Sequence, residues 1–114
     1  MTKPHISDDP LYQLLRLEKV EEFNQQRDKL DPSKLKGGDY RGLDLRTINA
    51  EGLDFSDSYF RNADLRGLDL RKTHLEGANL RDANISGVYF PKPVTAAEIR
   101  LSIEFGTRIR YRNA

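Results

Sequence analysis

Arg41, Arg46, Arg61, Arg66 and Arg81 fall at multiples of five residues from one another. Guanidinium groups set at a fixed spacing along one surface can hold phosphates or an acidic protein patch. Aspartates two residues earlier offer a plainer role: Asp39, Asp44, Asp64 and Asp69 precede Arg41, Arg46, Arg66 and Arg71. An arginine paired to its own aspartate is a solvated surface feature, and that is the preferred interpretation. His5 and His74 are the only histidines. His74 is expected to stack beside Asp54 but with no obvious serine to activate, and a surface histidine is the preferred reading, so catalytic residues are expected to be none. With no cysteine and two distant histidines, three or four converging zinc ligands are not expected, and neither is any metal or cofactor. Tyr59 and Tyr89 put aromatic rings among polar positions. They either anchor a partner or lie under terminal helices of the same chain.

What must position these residues is a repeat. From Ser33 to Lys92 the chain divides into twelve five-residue units without a slip in phase, among them Leu43-Asp-Leu45-Arg-Thr47, Ala63-Asp-Leu65-Arg-Gly67 and Ala78-Asn-Leu80-Arg-Asp82. The third residue is apolar, the first is small or aliphatic, and the second, fourth and fifth are mostly polar. A period of five fits neither a helix, at 3.6, nor a strand, at 2, and so points to a solenoid. These units resemble the pentapeptide-repeat family, whose consensus is roughly Ala-(Asp/Asn)-Leu-x-x. The resemblance covers about half the chain and implies a right-handed quadrilateral β-helix, a β-solenoid in which each unit forms one side of a square coil.

Twelve units at four per coil give about three coils and stack residues twenty apart. The expected inward columns are Leu35, Phe55, Leu75; Tyr40, Phe60, Leu80; Leu45, Leu65, Ile85; and Ala50, Leu70, Phe90. Gly, Asn or Asp in the fifth position suits a corner with a permissive backbone. Ile48 with Ala50 inverts the small-then-large order, and Leu43, Leu53 and Leu68 stand where the family prefers Ala. Bulged sides or a wider coil are expected there.

The flanks complete the organisation: a flexible leader over 1–8, a helical N-terminal cap over 9–32, the repeat over 33–92, and a C-terminal helix with a basic tail over 93–114. Apolar residues from Leu11 to Phe23 would encircle one continuous helix, so a break near Arg16 to Glu18 is predicted, with Asp31-Pro32 as the stop. Thr95-Ala-Ala-Glu98 is a capping-box pattern, and the helix it starts should run from Ala96 to Phe105 and stop at Gly106. Its apolar residues form two opposed sets: Ala96, Ile99 and Ile103 against Leu101 and Phe105. One set can cover the last coil, and the other needs the tail or a second subunit. In Thr107 to Arg112, Ile109 and Tyr111 alternate with arginines, a strand pattern that could add to an exposed edge of its own chain or a neighbour's.

Nineteen basic and eighteen acidic residues leave a net charge of +1, so global charge selects no partner. No apolar run approaches transmembrane length, and a soluble, cytoplasmic protein is the default. The expected function is therefore a non-enzymatic protein-interaction or scaffold module, self-associating as a homodimer through Leu101, Phe105, Ile109 and Tyr111. Its candidate interaction face holds Arg41, Arg46, Arg61, Arg66, Arg81 and Tyr59, facing an unidentified protein partner. The resemblance also raises gyrase or topoisomerase binding by imitation of duplex DNA, but arginine stands here where a mimic needs carboxylate. Direct nucleic-acid binding through the arginine faces is a further alternative, and no membrane partner is expected.

Overall fold

Residue 4 and residues 6–112 are described in a computed structural model. His5, most of the leader's first five residues and the last two residues of the tail lie outside the described residues. Among the described residues there are three α-helices: α1 (Pro10–Arg16), α2 (Val20–Gln26) and α3 (Ala96–Phe105). The repeat between them forms no extended strand. It forms isolated parallel bridges at a constant twenty-residue step, including Asp39 with Tyr59, Tyr59 with Asn79, Asp44 with Asp64, and Asp64 with Asn84.

The hydrogen bonds show why the step is constant. The third residue of a unit donates upward and the second residue of the next coil donates downward. Thus Tyr40 N–H donates to the Tyr59 carbonyl at 2.8 Å, and Tyr59 N–H donates to the Gly38 carbonyl at 3.0 Å. A side is too short to make more than one bridge before the corner, so the ladder stays a stack of single rungs. Between rungs the first and third side chains point inward. Leu35, Phe55 and Leu75, Tyr40, Phe60 and Leu80, and Leu45, Leu65 and Leu70 are all buried. Ile85, Val88 and Phe90 on the last coil are only half-buried.

Leu53 and Leu68 are buried in first positions and Leu43 is half-buried. The void among Leu45, Ile48, Phe55, Phe60, Leu65 and neighbours is about 10 Å³, and an apolar space that size stays dry. The extra leucine volume therefore opens no interior cavity.

One side does depart from the ladder. Asn49 and Asp69 do not bridge each other, although Asp69 bridges Tyr89 above, and Gly52 N–H reaches the Lys72 carbonyl, twenty residues on. Equivalent corners, such as Gly42 to Arg61 and Gly67 to Ser86, step nineteen. The cause lies in the corner residues. From Gly37 to Gly87 each corner holding Gly, Asn or Asp has positive φ, Asp57, Asn62 and Asp82 included, whereas Thr47 and Lys72 do not. A β-branched threonine resists the left-handed region, so the corners flanking this side turn differently and a surface cleft opens along Ile48 to Glu51 and Asp69 to Lys72. Thr47→Gly combined with Lys72→Gly should close it. Amide exchange at Ala50 and Asp69 is then expected to slow by about tenfold, although each glycine costs up to about 1 kcal/mol of overall stability. Unchanged exchange would mean that the corners are not the cause.

The predicted helix break is present at the predicted place: α1 stops at Arg16, and Glu18 carries a φ of 59°. α2 ends at Gln26 and continues as a 3-10 turn, Arg27–Lys29, before Asp31-Pro32. Both helices lie against the first coil through side chains that replace a missing rung. Tyr12 Oη accepts from Asp39 N–H at 3.0 Å, a Glu18 carboxylate oxygen accepts from Asp44 N–H at 2.8 Å, and Asn24 Oδ1 accepts from Asn49 N–H at 2.9 Å. Arg27 donates to the carbonyls of Asn49 and Glu51.

At the other end, α3 begins at Thr95, whose hydroxyl accepts from Glu98 N–H, and stops at Gly106 with φ 71°. The capping box is only half formed. Glu98 turns away from the Thr95 amide and accepts from the Arg110 backbone N–H at 2.9 Å and from its guanidinium at 2.7 Å. The expected apolar seating holds in part: Ile99 and Ile103 pack half-buried against the core, but Ala96 is exposed, and the buried residues of α3 are Glu98 and Ser102. α3 is held at a coil edge by hydrogen bonds: Leu80 N–H donates to Ser102 Oγ at 2.8 Å and Asp82 N–H to the Ile103 carbonyl at 3.1 Å. The tail pairs with its own chain, antiparallel, at Asn79 and Arg108. Among the described residues no helix is long and apolar enough to cross a membrane.

Candidate interaction surface

Second and fourth residues of a unit lie two apart on nearly extended backbone and so share the outer surface. That geometry lets aspartate clip arginine. In the Asp39, Asp44, Asp64 and Asp69 units one carboxylate oxygen accepts both the backbone N–H and Nε of the arginine two residues on. The other oxygen accepts from Nη2, at 2.8 to 2.9 Å. These are bidentate, charge-assisted pairs. Hydrogen bonding from Arg41, Arg46 and Arg71 holds Asp39, Asp44 and Asp69 down at about 2, and hydrogen bonding from Arg66 puts Asp64 below its ordinary value.

Of the expected face, then, Arg41, Arg46 and Arg66 are committed to their own units. Arg61 is exposed, in a unit where Tyr59 replaces the aspartate and is itself half-buried. Arg81 follows Asn79 and stands 3.8 Å from the Asp82 carboxylate. The structure brings the five arginines onto adjoining surfaces but neutralises three of them, which removes most of the charge excess a phosphate ligand would meet. Only Asp39 is deeply placed in this set, with 6% of its side chain exposed, and Arg16 of α1 joins it at 3.0 Å. His74 is exposed and bridges Asp54 through its backbone alone. No group of acidic, histidine or cysteine side chains among the described residues could hold a metal ion.

The residues expected to meet a second subunit divide. Ile109 is buried at 1% exposure, and its backbone bonds Ala78 and Gly77. Tyr111 Oη accepts from Leu75 N–H at 2.9 Å. Both are engaged within their own chain, because the tail supplies the rung that the last coil lacks there. Leu101 is half-buried and Phe105 is 64% exposed. Ala97, which composition does not single out, is exposed four residues before Leu101. Ala97, Leu101 and Phe105 thus follow one line along α3, flanked by the loose Arg100–Glu104 pair at 3.9 Å. Tyr89, 59% exposed, carries the Arg71 guanidinium 4.9 Å above its ring.

A family model describing pentapeptide repeats matches in eight copies over residues 33–67 and 58–91, together residues 33–91 and just over half of the 114-residue chain. No match was found among curated proteins or among solved structures.

Proposed function

Because the chain belongs to the pentapeptide-repeat family, whose members are generally non-enzymatic repeat proteins with interaction roles, we propose that it is a rigid interaction module that self-associates as a homodimer. In this proposal the repeat winds as a right-handed quadrilateral β-helix of about three coils, with α1 and α2 over one end and α3 with the tail over the other. The twenty-residue step of the bridges supports that winding. The observation that carries the function is the exposed Ala97, Leu101 and Phe105 line on α3. Two such helices crossing on a two-fold axis would bury it, and the same patch would serve both subunits. The partner is a second copy of the chain, and α3 rather than the arginine surfaces makes the contact.

The double substitution Leu101→Glu with Phe105→Glu tests this by sedimentation equilibrium. Two carboxylates buried per subunit should weaken association at least about a hundredfold, roughly 3 kcal/mol, while α3 keeps its hydrogen bonds through Ser102 and Glu98. A wild-type chain that stays monomeric at high concentration, or a variant that associates equally well, would overturn the proposal. Nucleic-acid binding has less support, since Asp39, Asp44 and Asp64 neutralise Arg41, Arg46 and Arg66, three of the five arginines it would use.

A further inference from the structure

The ends of the repeat are covered unevenly. At the first coil the amides of Asp39, Asp44 and Asn49 donate to Tyr12, Glu18 and Asn24. At the last coil Leu75, Gly77, Leu80 and Asp82 donate to Tyr111, Ile109, Ser102 and Ile103. Beyond Asp82 the cover stops. Among the described residues the amides of Ile85, Gly87 and Phe90 and the carbonyls of Ala83 and Val88 have no hydrogen-bond partner. These are the groups through which each lower coil joins the next, as where Leu65 N–H donates to Asn84 and Asn84 N–H to Ala63. Ile85, Val88 and Phe90 beneath them are half-buried. The ledge is thus a sheet edge with an apolar floor.

Sheet edges are ordinarily guarded by charge. This one has lost it. The outward column Asp44, Asp64 ends in Asn84, and Arg46, Arg66 ends in Ser86. From Ala83 to Pro91 no residue is charged, in a chain that is 32% charged. The charge that follows is Lys92, which is exposed and makes no ion pair among the described residues. We propose that Ala83 to Phe90 is a docking edge for one extended segment of a partner protein, uncharged along the edge and acidic where it passes Lys92, added as a further β-strand. A second copy of the chain does not fit there. α3 stands on the same coil through Leu80 and Asp82 and is about 10 Å thick, whereas a stacked coil would have to sit about 4.8 Å above. A single strand beside α3 meets no such obstacle. The proposal rests on the chain being an interaction module but uses a surface other than the Leu101 and Phe105 face, so either can fail alone.

The test is a titration of isotope-labelled full-length protein, followed by amide NMR, with a synthetic peptide Ala-Asn-Ile-Ser-Gly-Val-Tyr-Phe-Glu-Glu. It copies the pattern of one further half-coil and ends in acid. Saturable shifts and slowed exchange at Ile85, Gly87 and Phe90 are expected. Affinity should fall about tenfold or more when the peptide's Asn and Tyr amides are N-methylated, because they can no longer donate to Ala83 and Val88. It should fall by about threefold when the two glutamates become lysines. No saturable shift, shifts confined to Ala97, Leu101 and Phe105, or affinity unaffected by N-methylation would overturn the docking edge. Equal affinity for the lysine peptide would overturn the acidic partner.

Discussion

Phe60→Ala is expected to lower the stability of the folded chain by about 3–5 kcal/mol, read as a fall in the urea midpoint without a change in slope. Phe60 is 2% exposed and sits in a four-ring cluster. It stacks on Tyr40 at 5.1 Å and meets Phe55 edge-on at 5.2 Å, while Tyr40 meets Tyr12 of α1 at 5.6 Å. Removing the ring empties the centre of two stacked coils and unseats the contact that ties the N-terminal helices to them. Rungs one residue wide cannot slide to refill the space. Phe60→Leu should cost only about 1 kcal/mol. Ile85→Ala, at the half-open edge, should fall between the two. A Phe60→Ala loss no larger than that of Ile85→Ala would mean that the interior is not packed around this cluster.

The second large effect is expected at Asp39. Its carboxylate is buried and accepts from Arg41 at 2.8 Å and from Arg16 at 3.0 Å, so it joins α1 to the first coil. Asp39→Ala removes the carboxylate the two guanidinium groups share, leaving Arg16 only the backbone carbonyl of residue 39, 3.2 Å away. The loss should be about 2 kcal/mol, below the 3–5 of a fully buried pair because both arginines keep contact with water. Asp69→Ala removes the same motif where both partners are largely exposed, 62% and 53%, and should change stability little. The pH dependence follows from the direction of the shift. Asp39 is held at about 2 in the folded chain against an ordinary 3.8, so its contribution is complete above about pH 4 and is lost as pH falls toward 2. Acid unfolding of the Asp39→Ala chain should therefore be less steep across that interval. An unaltered acid limb would contradict this role.

The sequence carried the fold in its most regular part and lost it where local geometry decides. A five-residue phase unbroken from Ser33 to Lys92 determines which residues turn inward, and Leu35, Tyr40, Leu45 and Phe55 are buried as their positions require. The break after Arg16, the span of α3 and the stop at Gly106 were equally legible, because caps and proline act over a few residues. The broken rung at Asn49 was marked by its inverted order, but its nearer cause, two corners without a left-handed residue, lay in Thr47 and Lys72. Glu98 was legible as a capping residue and not as the ligand of Arg110, twelve residues on, since a local pattern cannot reveal a competing distant donor. Ile109 and Tyr111 showed their alternation without showing which chain's edge they would cover. The charge-free stretch from Ala83 to Pro91 was visible, yet its meaning depends on which amides the tail and α3 leave open.

A dilution series of isotope-labelled wild-type chain, followed residue by residue by amide NMR from high to low micromolar concentration, tests the interaction role most directly. Concentration-dependent shifts gathered at Ala97, Leu101 and Phe105 are expected, with Arg41, Arg46, Arg61, Arg66 and Arg81 unmoved. Spectra that do not change on dilution, or shifts that gather on those arginines instead, would contradict self-association through α3.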